Sequence, residues 1–123
     1  YFLNNLKKRY FITRLRRYVK NGGCIIGLCA GAIMMANDIS AAQFGSEDIV
    51  GLSNLSSLAL VDFNFMPHWN RSSKYLDDLK KYSNKTGNTV YTCNDGDGIV
   101  VINNKLQFYG DINMIKEGEI EQV

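Results

Sequence analysis

One cysteine stands in a setting typical of a catalytic thiol. Cys29 lies within the segment Gly-Leu-Cys-Ala-Gly-Ala at 27–32, directly after the short apolar run 24–28. This order predicts a strand, a sharp turn and a helix, the arrangement that displays a nucleophile in α/β enzymes. Gly27 and Gly31 flank Cys29, and we expect the turn to leave no room for a Cβ atom at either position.

The predicted helix would also activate this thiol. Unpaired N–H groups and the positive end of the helix dipole at a helix N-terminus favour the thiolate, which is the form that attacks carbonyls. The backbone N–H of Ala30 would point the same way and is expected to supply one oxyanion-hole donor.

A thiol nucleophile needs a base, and the chain contains a single histidine. His68 follows Pro67 at the end of the predicted strand 58–65. Ligands bind at the carboxyl edge of an open α/β sheet, where Cys29 is also expected to emerge. A lone histidine is usually a surface or core residue, but this pairing predicts that His68 exchanges a proton with Cys29.

A third group should hold the imidazole in the correct tautomer. We favour Glu47 or Asp48, because the polar excursion between nucleophile and base can fold over the site. Asp62 lies inside the strand that precedes His68 and is expected to face solvent. The competing carboxylates are Glu47, Asp48, Asp62, Asp95 and Asp97.

Two further residues are candidates for contact with a substrate. Asp95 belongs to a tight turn, Asp-Gly-Asp-Gly at 95–98, that lacks the later ligands of a calcium loop, so no metal site is predicted. Trp69 adjoins His68 and would line a pocket, although core packing is at least as good an interpretation. Cys24 and Cys93 lie in strand-like segments and are expected to be buried thiols.

These residues are positioned by alternating strands and helices. The alternation, followed by a hairpin, predicts an α/β domain with a mostly parallel sheet. Residues 37–57 carry no sustained period and form a long polar excursion. The predicted elements are helices over 2–20, broken near 10–13, and over 30–36 and 71–82, with strands at 24–28, 58–65, 89–92, 99–102 and 106–109.

Composition is that of one ordinary domain over residues 1–123. The chain is 46% hydrophobic and 21% charged, with a formal net charge of +2, which argues against nucleic acid as a partner. No apolar run approaches a membrane span. Three cysteines without a C-x-x-C pair indicate neither a disulfide framework nor a zinc site and suggest the cytoplasm. A start within a helical pattern suggests the C-terminal part of a longer domain.

Two motifs resemble one known family. The segment 27–32 resembles the Gly-x-Ser-Ala-Gly-Ala segment of peptidase E, within the class I glutamine amidotransferase-like superfamily, and 60–69 resembles that family's strand ending in Pro-His-aromatic. The spacing of the two motifs and the predicted hairpin also agree. The resemblance implies a flavodoxin-like three-layer sandwich without its N-terminal strands, since these would precede Tyr1.

The resemblance further implies a peptidase or related amide hydrolase acting on small peptides without a cofactor. Cys29 takes the place of the family serine. A sheet that lacks its opening strands would expose an unpaired edge, through which copies of the chain could form a homo-oligomer.

Two alternatives remain open. A catalytically inactive or truncated family member would use the same surface for binding or oligomerisation. The second alternative is an amidotransferase-like glutaminase. Amidotransferases of this superfamily use a cysteine nucleophile but carry a Glu two residues after the histidine, where this chain has Asn70.

Overall fold

The computed structural model describes residues 1–45 and 51–123, which form a mixed α/β fold. The combination of helices and strands confirms the α/β fold class, but the sheet is not mostly parallel as predicted, because only the first of its three strand pairings is parallel. The helices are α1 (Phe2–Lys8), α2 (Phe11–Lys20), α3 (Ala30–Ile33), α4 (Trp69–Ser72) and α5 (Leu76–Thr86), with 3₁₀ turns at Ser40–Gly45 and Ser73–Tyr75. The strands are β1 (Asn64–Met66), β2 (Val90–Thr92), β3 (Gly98–Ile102), β4 (Lys105–Tyr109), β5 (Asn113–Lys116) and β6 (Glu119–Gln122).

The main sheet has the strand order β1-β2-β5-β6. β1 and β2 are parallel, with Asn64 opposite Val90 and Met66 opposite Thr92. β5 is antiparallel to both β2 and β6. The carboxyl ends of β1 and β2 therefore lie side by side at one edge of the sheet.

Two hairpins complete the strands. β3 and β4 form the predicted hairpin as a separate two-stranded sheet, turned by Asn103 and Asn104 with φ of 50° and 61°. A second hairpin, β5–β6, was absent from the sequence prediction. Its turn contains Glu117 and Gly118, both with positive φ. The Lys-Glu-Gly-Glu run at 116–119 is the turn signal that could have identified it.

The predicted strand over 24–28 is not hydrogen-bonded as a strand within the described residues. Ile26 is 85% and Leu28 is 82% exposed, and Cys24 is exposed as well. The expectation that Cys24 is buried is therefore wrong. A continuous apolar run predicts a strand covered on both faces, but such burial requires neighbouring strands, and no described segment pairs with this one.

The helix predicted over 30–36 ends at Ile33, and the strand predicted over 58–65 covers only Asn64–Met66. After Ile33 the helical bonding tightens, because the amides of Met35 and Ala36 donate to carbonyls three residues back. The carbonyls of residues 34–36 accept hydrogen bonds from the amides of residues 58–61, so the start of the predicted strand bonds to this segment rather than to a neighbouring strand. Ala59 adopts a φ of 51°, which is incompatible with a regular strand.

The helix predicted over 71–82 begins at Trp69, passes through a 3₁₀ turn and continues as α5 to Thr86. Its C-cap is Gly87, with a left-handed φ of 74°. α5 covers one face of the main sheet through Leu79, Val90 and Ile115, all fully buried. A second apolar cluster of Leu3, Met34 and Leu58 joins α1 to the segment after α3.

Candidate active site

Cys29 and His68 face each other across the carboxyl edge of the sheet. The Sγ atom of Cys29 lies 3.2 Å from Nε2 of His68. Both side chains are exposed to solvent. This separation is within the range of a hydrogen bond to sulfur, so the thiol proton can pass to the imidazole without a change of fold.

The turn before α3 directs Cys29 towards the histidine. Cys29 has φ 48° and ψ −114°, a conformation that residues other than glycine rarely adopt. A Cβ on Gly27 would lie 2.7 Å from the backbone of Gly31 and from Met35, so glycine is required there. A Cβ on Gly31 would meet open space. The expected crowding is therefore right for Gly27 and wrong for Gly31.

α3 contains only four residues, Ala30–Ile33, so its dipole is much smaller than that of a regular helix. The helix predicted over 30–36 would have favoured the thiolate more strongly. His68, rather than the helix, is the group placed to take the thiol proton. The backbone N–H of Ala30 makes no hydrogen bond to the part of the protein that the structure describes.

The end of β1 positions His68. The chain leaves the strand through Pro67, and His68 adopts a left-handed conformation with φ 57° and ψ 40°. Two backbone bonds fix this loop to the end of β2: Trp69 N–H donates to the carbonyl of Cys93 at 2.9 Å, and Cys93 N–H donates to that of Met66 at 3.0 Å. The parallel pairing of β1 with β2 thus continues into the site.

Asp95 lies three residues after the end of β2, and its carboxylate contacts the edge of the imidazole opposite to Cys29. Nδ1 of His68 donates a hydrogen bond to Oδ1 of Asp95. Nη2 of Arg71 donates to Oδ2 of the same carboxylate at 2.6 Å. Because an ionised carboxylate only accepts hydrogen bonds, this contact assigns the proton to Nδ1 and leaves Nε2 as the acceptor towards Cys29.

The electrostatics of this cluster favour an ionised Asp95. The hydrogen bond from His68, together with the hydrogen bond and positive charge of Arg71, lowers the pKa of the Asp95 carboxyl below its ordinary value, against a smaller opposing effect of desolvation. Arg71 is itself tied to this loop, since its backbone N–H donates to the carbonyl of His68 at 2.8 Å.

The acid in contact with His68 is thus one that the sequence analysis assigned to substrate contact. Glu47 and Asp48, the favoured candidates, lie outside the described residues. Asp62 is exposed, and Asp97 accepts the backbone N–H of Asn94 at 2.9 Å within the turn. Asp95 lies beyond the carboxyl end of β2, the parallel neighbour of the strand that precedes His68, and its place after a predicted strand is the signal that could have identified it.

Trp69 and Cys93 belong to the interior rather than to the site surface. Trp69 is 8% exposed and packs in the same core cluster as Leu79 and Val90, so the structure does not support a substrate contact for it. Cys93 is buried as predicted, and desolvation raises its pKa to about 12, with a smaller contribution from Asp97. It remains an inert thiol at neutral pH.

A cavity of about 300 Å³ opens beside the two reactive side chains, with Cys29, Ala30 and His68 in its wall. The rest of the wall comes mainly from apolar residues of α1, α3 and the segment that follows α3. Within residues 1–45 and 51–123, no three His, Cys, Asp or Glu side chains are grouped so as to hold a metal ion. None of the described helices has both the length and the apolar composition needed to cross a membrane.

Comparison with known proteins gives a family and a fold. The sequence model of peptidase family S51 matches residues 1–109. A solved structure of a protein from Listeria monocytogenes EGD-e, assigned to peptidase E, superposes with a TM-score of 0.65 over the whole of this chain and 55% of that one. At 20% sequence identity, this likeness shows the fold alone.

Curated relatives of this chain include subunits of pyridoxal 5′-phosphate synthase. The pyridoxal 5′-phosphate synthase subunit PdxT of Saccharolobus islandicus is 29% identical over 87 residues, which cover 69% of this chain and 42% of that protein. The corresponding subunit of Saccharolobus solfataricus is 28% identical over the same length. The chain therefore spans less than half the length of the curated relatives it matches.

Proposed function

The chain belongs to peptidase family S51, and from this premise we propose that it hydrolyses peptide or amide bonds with Cys29 as the nucleophile. One observation carries the proposal. Cys29, His68 and Asp95 form a continuous series of contacts, with 3.2 Å between Sγ and Nε2 and a hydrogen bond from Nδ1 to the carboxylate. This is the order of nucleophile, base and orienting acid that acyl transfer requires.

The first half of the reaction forms an acyl-enzyme. Nε2 of His68 takes the Cys29 thiol proton, and the sulfur attacks the carbonyl carbon of the substrate. The negative charge that develops on the carbonyl oxygen is stabilised by the N–H of Ala30. The carbon–nitrogen bond then breaks, and the imidazolium returns its proton to the leaving amine, leaving a thioester on Cys29.

The second half resolves the thioester with water. His68 accepts a proton from the water as it attacks the thioester carbonyl, and gives that proton to the departing Cys29 sulfur. Asp95 holds the imidazole through Nδ1 in both halves, and Arg71 holds the second carboxylate oxygen of Asp95. These steps need no cofactor.

We further propose a small peptide substrate and a cytoplasmic setting. A reducing compartment keeps a nucleophilic thiol active, and the three cysteines of this chain are free. The cavity beside the reactive pair has room for one side chain rather than for an extended polypeptide.

Alkylation tests the thiol before any substrate is known. Cys24 is a matched internal control because it is exposed, like Cys29, but has no histidine partner among the described contacts. We expect iodoacetamide near neutral pH to modify Cys29 much faster than Cys24, and Cys93 to remain unmodified. Peptide mass spectrometry of quenched samples gives all three rates. Equal rates at Cys29 and Cys24 would favour the inactive binding module.

Substitutions then test hydrolysis. Cys29→Ala and His68→Ala are each expected to abolish turnover, whereas Cys29→Ser keeps the fold and part of the activity because serine is the family's nucleophile. Full activity in either alanine variant would end the proposal.

A glutaminase is the second candidate, favoured by the likeness to the synthase subunits and by the cysteine itself. It predicts ammonia release from free glutamine. Asn70 occupies the position where amidotransferase relatives carry a glutamate, and Asp95 lies in the place of the orienting acid here. We therefore rank peptide or amide hydrolysis first.

A further inference from the structure

The cavity beside Cys29 has a strongly apolar wall. Its volume of about 300 Å³ is at the lower end of the range for small-molecule sites, which suits one large side chain. Cys29 and His68 form part of its wall. Most of the lining is apolar and includes Leu3, Ile33, Met34, Ile39, Ala42 and Met66, whereas Tyr1 and Ser72 add hydroxyl-bearing side chains.

We propose that this cavity is a specificity subsite for an apolar side chain, leucine-like or phenylalanine-like, on a residue that flanks the scissile bond. The proposal rests on the proposed hydrolase function and names its substrate class. Because Cys29 and Ala30 line the cavity, a carbonyl held at Sγ has its neighbouring side chain directed into the apolar wall.

Charge argues against an acidic side chain in this position. No lysine or arginine lines the cavity along the described part of the chain. Arg71, which contacts His68, donates to Asp95 and is not among the lining residues. A carboxylate moved from water into such a wall would lose its hydration and gain no lysine or arginine partner there, only neutral hydroxyl groups on Tyr1 and Ser72. A peptide with Asp next to its scissile bond is therefore disfavoured.

An apolar side chain, in contrast, gains binding free energy when it leaves water for this wall. Each methylene that enters a hydrophobic pocket changes the specificity constant by about 10- to 200-fold. We thus expect kcat/KM for leucine or phenylalanine substrates to exceed that for aspartate by at least about tenfold.

Two dipeptide series test this expectation. Xaa-Ala and Ala-Xaa, with Xaa as Leu, Phe, Asp or Lys, vary each side of the scissile bond in turn, and product formation is followed by chromatography. The proposal expects Leu and Phe to be preferred in one series. Hydrolysis with equal rates for all four residues, or with Asp preferred, would overturn the subsite and leave the hydrolase function standing.

A matched pair of variants assigns the preference to the cavity. Ile33→Arg places a cation in the wall and should shift the preference towards Asp. Ile102→Arg makes the same change on β3 at a side chain that is 58% exposed and should leave the preference unchanged. If Ile33→Arg fails to fold, Ala42→Leu fills the cavity and should reduce the advantage of Phe. An unchanged profile in a folded wall variant would overturn the proposal.

A labelling experiment separates this proposal from the hydrolase proposal. N-benzyl iodoacetamide and iodoacetamide carry the same reactive group but differ in an apolar ring. For each cysteine, the rate with the benzyl reagent is divided by the rate with iodoacetamide. The value for Cys29 divided by the value for Cys24 then measures apolar binding beside the Cys29 thiol. We expect a ratio above about five and saturation with the benzyl reagent. A ratio above about five with no hydrolysis of any dipeptide would overturn the hydrolase proposal and support apolar binding beside Cys29. A ratio of about one would overturn the subsite.

Discussion

The Asp95 carboxylate reaches Nδ1 of His68 across a sequence separation of 27 residues. The contact exists because β1 and β2 are parallel neighbours, so that the loops after their carboxyl ends run together. Backbone bonds between Met66, Cys93 and Trp69 hold those loops in register. The position of the acid relative to the base is therefore a property of strand pairing.

Asp95→Asn should lower turnover on the order of 10²-fold or more, because the amide no longer holds the Nδ1–H tautomer. Steady-state kinetics measure the loss, and circular dichroism checks the fold. Asp62→Asn is the control, since that carboxylate is exposed and makes no contact with His68 within the described residues. A large loss in Glu47→Gln or Asp48→Asn, with Asp95→Asn unaffected, would return the role to the acids favoured by sequence.

Arg71→Ala should raise the pKa of Asp95 towards its ordinary value of 3.8, since the hydrogen bond and charge that help to lower it are removed. The pKa of Asp95 is lower in the folded protein than in the unfolded chain. Its contacts therefore stabilise the fold fully at pH values above the unfolded pKa, and this stabilisation is lost as the pH falls through the folded pKa. In the variant this loss should be smaller and should be complete at a higher pH, because the folded pKa lies closer to the ordinary one. A ¹³C NMR titration of the Asp95 carboxyl measures the shift.

Arg71→Lys serves as the conservative comparison for that experiment. Lysine keeps the charge but not the guanidinium geometry, so the carboxyl should titrate between the wild-type and alanine values. An Asp95 titration identical in all three proteins would contradict the assigned contact.

Gly27→Ala should displace Cys29 and slow both its alkylation and any hydrolysis, the latter on the order of 10²-fold, because the new Cβ meets the backbone of Gly31 as well as the side chain of Met35. Gly31→Ala is its natural partner. Open space surrounds that position, and alanine should stabilise the short helix by roughly 0.5–1 kcal/mol. Equal effects of the two substitutions on the Cys29 alkylation rate would contradict the proposed geometry of the turn.

Leu79→Ala should reduce the free energy of unfolding by about 2–5 kcal/mol, because the side chain is fully buried between α5 and the sheet. Leu28→Ala makes the same chemical change at a side chain that is 82% exposed and should alter stability by no more than about 0.5 kcal/mol. Urea denaturation followed by circular dichroism compares them. Similar losses in both variants would contradict the assigned core.

Local sequence patterns predicted the elements whose neighbours are close in the chain. The asparagine turn identified the β3–β4 hairpin, and the apolar periodicity of 71–82 identified most of α5, although both ends of the helix shifted. Patterns failed where a distant partner decides the outcome. The strand predicted over 58–65 is short because the amides of residues 58–61 donate to the carbonyls of residues 34–36, and no local pattern encodes that contact.

The amino-acid order alone was enough to predict Cys29 and His68 as candidates for chemistry. A thiol at a tight turn and a sole imidazole after a strand are local facts, and each is legible in a few consecutive residues. Tertiary structure decided which carboxylate meets His68, that Trp69 enters the core, and that the wall beside Cys29 is apolar. These depend on strand pairing and on packing between segments far apart in the chain, which the spacing of residues does not specify.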